Sequence, residues 1–247
     1  MKILSFGAGA IGTYIGGSLA LRGHQLVFVE QAEAAEKLKK TGLKLNLAKA
    51  VGQDAEADFS LQSPEVYFAS SLEEALSFGP FDIALFALKS YDTDSALEGM
   101  RPFIKQLPPI LCLQNGIDNE PALASILGEN NVIPATVTSA VGRRGVGEII
   151  LEKLRGVGIA NTHTLSQQLY QAFLEAGLNP RMYQKSADMK WSKMLTNLLA
   201  NPTSAILNMS PAEVFANDGL YRLEIAQLSE CLAVMKSQSI NVVDLPG

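Results

Sequence analysis

MKILSFGAGAIGTYIGGSLALRGHQLVFVE, residues 1–30, is the stretch that decides the fold. Lys2–Phe6 is a short apolar, β-prone run, and Gly7-Ala8-Gly9-Ala10-Ile11-Gly12 follows it at once. A helix-like segment continues to Leu21, with Arg22 in its last turn and Gly23 to end it. Leu26–Val29 reads as a second strand, closed by Glu30. Strand, glycine turn, helix and strand in succession form a βαβ unit, so an α/β fold with a parallel sheet is expected. In that setting Gly7 allows the tight turn, Gly9 lets a pyrophosphate approach the backbone, and Gly12 lets helix and strand pack closely. A helix N-terminus offers free N–H groups and partial positive charge to such an anion. Ala8, Ala10 and Ile11 therefore join the three glycines as candidate cofactor-binding residues. Glu30, 18 residues beyond Gly12, stands where a carboxylate accepts hydrogen bonds from the adenosine ribose. It would also repel a 2′-phosphate, which argues for NADH. Lys37, Lys39 and Lys40 lie further on, within possible reach of a phosphate.

Outward from this unit, apolar runs at Asp82–Leu88, Ile110–Leu113 and Val132–Val137 read as strands covered on both faces. Helical patterns fall at Glu33–Lys40, Glu73–Phe78, Thr93–Ile104, Pro121–Leu127 and Ser166–Ala176. Alternation of Leu43, Leu45 and Leu47 within Leu43–Asp58 suggests a half-buried strand near an edge, and Glu148–Ile159 reads as two strands paired with each other. From about residue 186 the pattern is helical, in the pieces Asp188–Leu207, Pro211–Ala216 and Gly219–Gln238, with strand-like material again only at Asn241–Leu245. Two domains are expected, a Rossmann-type dinucleotide-binding domain over 1–185 and a helical one over 186–247.

Composition narrows the function. The chain has 247 residues, 47% hydrophobic and 18% charged, enough apolar material for a sizeable core. A net charge of -5 without a basic stripe argues against nucleic acid. Two cysteines, Cys112 and Cys231, and two histidines, His24 and His163, make a disulfide framework or a zinc site improbable and suit a reducing, cytoplasmic setting. Glycines interrupt the apolar N-terminus, which argues against a membrane span there.

Lys89 follows the Asp82–Leu88 strand and Asn115 follows the next one, and ligands of open parallel sheets bind beyond such carboxyl ends. Lys193, Asn197 and Asn201 are spaced i, i+4, i+8 and fall within an arc of roughly 80° on a continuous helix. Trp191, Met194, Leu195, Leu198 and Leu199 occupy the opposite, packing side. One face thus presents an ammonium and two carboxamides in a row. Pro202 favours a bend after it. Lys190 shares the polar arc, so spacing alone leaves two candidates for a working lysine.

These residues together resemble the ketopantoate reductase (2-dehydropantoate 2-reductase) family. The resemblance runs from MKILSFGAGAIG through ALKSYDT around Lys89, LQNG at Asn115 and KWSKMLTNLLANPTSAI at Lys190–Ile206 to INVVDLPG. It implies a Rossmann-type domain followed by an all-helical, 6-phosphogluconate-dehydrogenase-like domain, with hydride transfer from a reduced nicotinamide to C2 of ketopantoate in the cleft between them. It implies Lys193 as the catalytic lysine, Asn115, Asn197 and Asn201 as substrate and nicotinamide contacts, and Lys89 at the cofactor end. A homo-oligomer is expected, and neither a nucleic-acid nor a membrane partner. Three features depart from the family pattern. The family commonly uses NADPH, with an Arg near the end of the second strand, where this chain has Glu30-Gln31. A further family asparagine falls near Pro211. A family serine and glutamate lie beyond INVVDLPG, so the helical domain is expected to be incomplete over these residues. The alternatives are another 2-oxo acid or opine-type dehydrogenase, and a non-catalytic dinucleotide-binding sensor.

Overall fold

The computed structural model describes residues 1–48 and 57–247. The first unit is β1 (Lys2–Phe6), α1 (Ala10–Ala20) and β2 (Gln25–Val29), followed by α2 (Ala32–Thr41). Next come β3 (Leu43–Asn46), β4 (Asp58–Leu61), β5 (Val66–Ala69), α3 (Leu72–Leu76), β6 (Ile83–Phe86), α4 (Thr93–Met100), β7 (Ile110–Cys112), α5 (Asn119–Leu127) and β8 (Val132–Val137). Then follow β9 (Ala140–Gly145), β10 (Glu148–Lys153), β11 (Val157–Ala160), α6 (Ser166–Glu175) and β12 (Pro180–Tyr183). The C-terminal region is helical: α7 (Ser186–Leu198), α8 (Asn201–Leu207), α9 (Pro211–Ala216) and α10 (Asp218–Ser237).

Eight strands form one sheet in the order β12-β11-β8-β7-β6-β1-β2-β5, parallel throughout except where β11 runs against β8. The chain builds outward from β1 through β2 and β5, then crosses back to β6, β7 and β8 on the other side. The order therefore reverses at β1/β6, which opens a crevice at the carboxyl ends of these two strands. Side chains of the central strands alternate between two cores. Ile3, Leu26, Phe28, Ile83, Leu85 and Leu111 face one side, with Tyr14, Ile15 and Leu19 of α1. Leu4, Phe6, Val27, Ala84, Phe86 and Ile110 face the other, with Leu97 of α4 and Leu123 of α5. Both faces are covered, as the unbroken apolar runs require.

Several expectations need correction. The Leu43–Leu47 alternation is a strand with Leu43 and Leu45 buried, but it belongs to a second, four-stranded sheet, β4-β3-β10-β9, packed over α1. Residues 49–56 of that stretch lie outside the described residues. The two strands of Glu148–Ile159 do not pair with each other. β10 pairs with β9 and β3, and β11 pairs with β8 and β12. Local pattern registers two strands but not their partners, which come from distant sequence. Asn241–Leu245 has no regular secondary structure and is no strand: it is held by side chains, with Val243 N–H donating to Ser192 Oγ at 2.9 Å and Asn241 N–H to Asp188 Oδ1 at 2.9 Å.

Candidate active site

The glycine turn has the backbone geometry expected at Gly7 and Gly12. Gly7 has φ +94°, a conformation open to glycine, and its N–H donates to Val29 O at 3.1 Å. A Cβ on Gly12 would sit 1.9 Å from Gly7 O, so only hydrogen fits between helix and turn. A Cβ on Gly9 would meet nothing within 4 Å, leaving the first turn of α1 open to approach. Among the described residues no side chain caps α1, and no acidic residue lies in its first turn, so its N–H groups are offered outward beside half-buried Ala10 and Ile11. This cradle fits the pyrophosphate of a dinucleotide. Glu30, half-buried at the end of β2, has one oxygen accepting from Ala8 N–H, while the other has only a 3.4 Å contact with Gln31 N–H. The carboxylate is braced against the turn, and one oxygen keeps most of its acceptor capacity.

Lys89 is exposed just beyond β6, and Asn115 is exposed just beyond β7. Both stand on the carboxyl edge that carries the glycine turn, because β1, β6 and β7 are neighbours. Two residues that sequence reasoning missed shape this edge. Buried Gln114 donates through Nε2 to Leu88 O at 3.1 Å and to Thr93 Oγ1 at 2.9 Å, tying the two loops together. Buried Asn119 donates to Asn115 O at 2.7 Å and fixes that loop's backbone. The Gln-Asn-Gly triplet was the available signal, but it reads first as a turn.

The helix carrying Lys193 is not the continuous one that the spacing suggested. α7 ends at Leu198, Ala200 turns left-handed with φ +61°, and Asn201 opens α8. Lys193 and Asn197 share a face of α7 and are half-buried, whereas Asn201 is exposed beyond the break. The chain breaks two residues before Pro202, because a side chain from α10 intervenes. Glu224, fully buried, accepts from Ala200 N–H at 2.7 Å and from Thr203 Oγ1 at 2.5 Å. The expected packing side also shifts. The buried residues of α7 are Asp188, Met189, Lys190 and Ser192, and Trp191, Met194, Leu195 and Leu198 are only half-buried.

The structure separates the two lysines. Lys190 is 6% exposed; its Nζ donates to Gln114 O at 2.7 Å and Ala135 O at 3.3 Å and pairs with Glu120 at 2.7 Å. It anchors α7 to the carboxyl end of β7. The Lys193 ammonium makes no hydrogen bond or ion pair among the described residues, and its pKa is lowered, first by burial and then by the charge of Arg155. Arg155 is itself held by Thr138 O at 3.0 Å. A half-buried cation without a partner, made a readier proton donor, suits stabilisation of a developing negative charge. A cavity of about 330 Å³ between α5 and α7 is lined by Glu120, Lys190 and Trp191 but by neither Lys193 nor Asn115, so it is separate from this site.

Comparison with known proteins gives two matching family models, ketopantoate reductase PanE/ApbA over residues 3–162 and its C-terminal counterpart over 186–245. A 2-dehydropantoate 2-reductase of Pyrococcus horikoshii is 27% identical over 238 residues, covering 93% of this chain and 72% of that protein. The crystal structure of a PanE/ApbA-family ketopantoate reductase from Ralstonia eutropha JMP134 superposes with a TM-score of 0.83 at 28% identity, covering 99% of this chain and 77% of that one. D-mandelate dehydrogenase in complex with NADH shares the fold, with a TM-score of 0.80 at 20% identity over 98% of this chain and 75% of that one.

Proposed function

Because the chain belongs to the ketopantoate reductase PanE/ApbA family, we propose that it reduces 2-dehydropantoate (ketopantoate) to pantoate, a step of pantothenate and coenzyme A biosynthesis, with a reduced nicotinamide dinucleotide. The observation that carries this reading is the half-buried Lys193, unpartnered among the described residues, on a helix anchored beside Asn115 at the carboxyl edge of the sheet. Gly7, Ala8, Gly9, Ala10, Ile11 and Gly12 would hold the pyrophosphate, Glu30 the adenosine ribose, and Lys89 and Asn115 the remainder of the dinucleotide. The bound nicotinamide supplies the hydride. Reduction leaves negative charge on the ketone oxygen, which the Lys193 ammonium stabilises and protonates. Asn115, Asn197 and Asn201 hold the substrate's carbonyl and hydroxyl groups without competing for that proton. Residues 1–185 serve as the dinucleotide-binding domain and 186–247 as part of the helical substrate domain, in the cytoplasm. Steady-state assays across 2-oxo acids test the reading. A preference for a substrate lacking the 4-hydroxyl replaces ketopantoate with another 2-oxo acid, because asparagines built for that hydroxyl would be left unpaired. Cofactor binding without turnover of any 2-oxo acid replaces the enzyme with a sensor.

The family's habit points to NADPH, whereas Glu30 favours NADH. At about 4 Å and an effective dielectric near 20, each unit-charge pair between its carboxylate and a 2′-phosphate repels by roughly 4 kcal/mol before relaxation. Titration of both reduced cofactors into wild type and Glu30→Gln decides. Tenfold tighter NADPH binding by wild type, little changed in the variant, overturns the assignment. Self-association is also expected, since Ile206 and Leu223 leave apolar surface exposed on α8 and α10. A monomeric mass by light scattering at high concentration overturns that expectation.

A further inference from the structure

We propose that Glu224 is a positioning residue for the 2-oxo acid: from α10 its carboxylate clamps the break between α7 and α8 and so sets Asn201 relative to Asn197 and Lys193. This rests on the function proposed above.

Glu224 is 0% exposed, unusual for a glutamate with no ion pair among the described residues. A bare carboxylate is costly to bury, and here three donors offset the cost. Oε2 accepts from Ala200 N–H at 2.7 Å and from Gln227 Nε2 at 2.7 Å, and Oε1 accepts from Thr203 Oγ1 at 2.5 Å. Gln227, one turn along α10, donates also to Leu198 O at 3.0 Å. Two side chains of one helix thus hold the last residue of α7, the left-handed Ala200 and the first turn of α8. A non-glycine residue with φ +61° is disfavoured unless its surroundings impose it, and this clamp does so.

The place of the clamp gives it a role beyond stability. Asn197 immediately precedes the Leu198 whose carbonyl is held, and Asn201 immediately follows the Ala200 whose N–H is held. An unbroken helix would carry Asn201 on the same stripe as Lys193 and Asn197. The clamp instead starts a new helix at Asn201 and sets its direction independently. Glu224 touches neither cofactor-binding nor reacting groups, so its loss acts through the asparagine.

The test compares Glu224→Ala with Glu224→Gln. In the glutamine variant the side-chain oxygen still accepts from Ala200 and Gln227, and its NH₂ donates to the Thr203 hydroxyl, which turns to accept. The alanine variant is expected to raise KM for ketopantoate by about tenfold or more, the order of a lost hydrogen bond to a charged group. Its affinity for reduced cofactor, read by fluorescence titration, stays within about twofold, and the glutamine variant stays within about threefold of wild type in KM. A folded alanine variant with unchanged KM overturns the proposal, as does a glutamine variant as damaged as the alanine one, or a cofactor affinity that falls with KM. If the alanine variant does not fold, Thr203→Val takes its place, with a rise in KM of about threefold expected and no change overturning. If wild type reduces no 2-oxo acid, the proposed function fails by itself. The clamp is then read from hydrogen exchange, where faster exchange confined to residues 198–204 in Glu224→Ala or Thr203→Val sustains it and unchanged exchange overturns it.

Discussion

Lys190 and Lys193 lie three residues apart on α7 and do opposite things. Lys190 satisfies its ammonium inside the molecule, on Gln114 O, Ala135 O and Glu120, whereas the Lys193 ammonium has no partner among the described residues. Lys193→Ala is expected to lower kcat by about 10²–10⁴-fold with cofactor affinity nearly unchanged, the signature of a lost proton donor. Lys190→Ala leaves the partly buried Glu120 without its partner and the Gln114 and Ala135 carbonyls without their donor, and should cost about 2–4 kcal/mol in urea unfolding. A near-neutral Lys193→Ala beside a silencing, stable Lys190→Ala would reverse the assignment. The pH dependence follows from the same lysine. Donation needs the ammonium, so activity holds at lower pH and falls as pH rises through a pKa that burial and then Arg155 have moved below the ordinary lysine value. Between that depressed pKa and the ordinary one the unfolded chain binds more protons, so this group's contribution to stability rises with pH. Arg155→Met removes the second cause, and the basic limb of the kcat profile should move upward. A limb that stays in place would show that burial alone sets the shift.

At the scale of elements, legibility in the sequence follows the range of the deciding interaction. The β1–α1 turn is decided by its own residues, and Gly7, Gly9 and Gly12 meet the conditions that their spacing announces. This gives a paired prediction. Gly12→Ala drives a methyl into Gly7 O and should destabilise the fold, lowering the thermal midpoint along with cofactor binding. Gly9→Ala meets nothing within 4 Å among the described residues, so the thermal midpoint should hold while cofactor affinity drops, because the methyl fills the space that a pyrophosphate would need. Equal loss of stability in both variants would mean that the open space at Gly9 is not a binding cradle. The break after Leu198 was illegible for the opposite reason. Its cause, Glu224, lies 24 residues from Ala200 and looks like any surface glutamate on an amphipathic helix. The second sheet was illegible in the same way, since β3 takes β10 as its neighbour from across the whole sheet domain. Of the candidate site, the sequence offers the turn, Lys89, Asn115 and the Lys193–Asn197 spacing, and the structure puts Lys89 and Asn115 at the carboxyl edge and Lys193 and Asn197 on one face of α7. The choice between the lysines, and the buried amides of Gln114 and Asn119, needed the partners that folding brings.

Across the whole molecule, α7 is held from two sides, and this sets what the site can do. Lys190 fastens it to the sheet, and the segment 241–247 fastens it from outside. Asp188 and Ser192 accept from Asn241 N–H and Val243 N–H, Tyr183 OH donates to Asp244 O at 2.7 Å, and Thr138 Oγ1 donates to Pro246 O at 2.9 Å. Val243 and Leu245 add apolar contact with Tyr183 and Met189. The same segment backs the cation beside Lys193, because Thr138 O holds Arg155 and a Cβ on Gly247 would lie 2.4 Å from Arg155 Cβ. Helix position and lysine electrostatics are thus coupled through one strap. Removing residues 241–247 eliminates five hydrogen bonds, one of them a long 3.5 Å contact from Asn241 Nδ2 to Asp188 Oδ2, and at about 1 kcal/mol for each of the four shorter ones the loss in urea unfolding should be about 4 kcal/mol. Tyr183→Phe, which removes one of them, should cost about 1 kcal/mol. The functional consequence separates a strap that tunes the site from a segment that only holds the fold. In the folded fraction of the shortened chain, kcat should fall and the basic limb of its pH profile should move upward, as Arg155 loses its backing, while the affinity for reduced cofactor, held by the β1–α1 turn, stays within about twofold. A shortened chain that is less stable but retains the wild-type kcat and pH profile would show that the strap holds the fold without tuning Lys193.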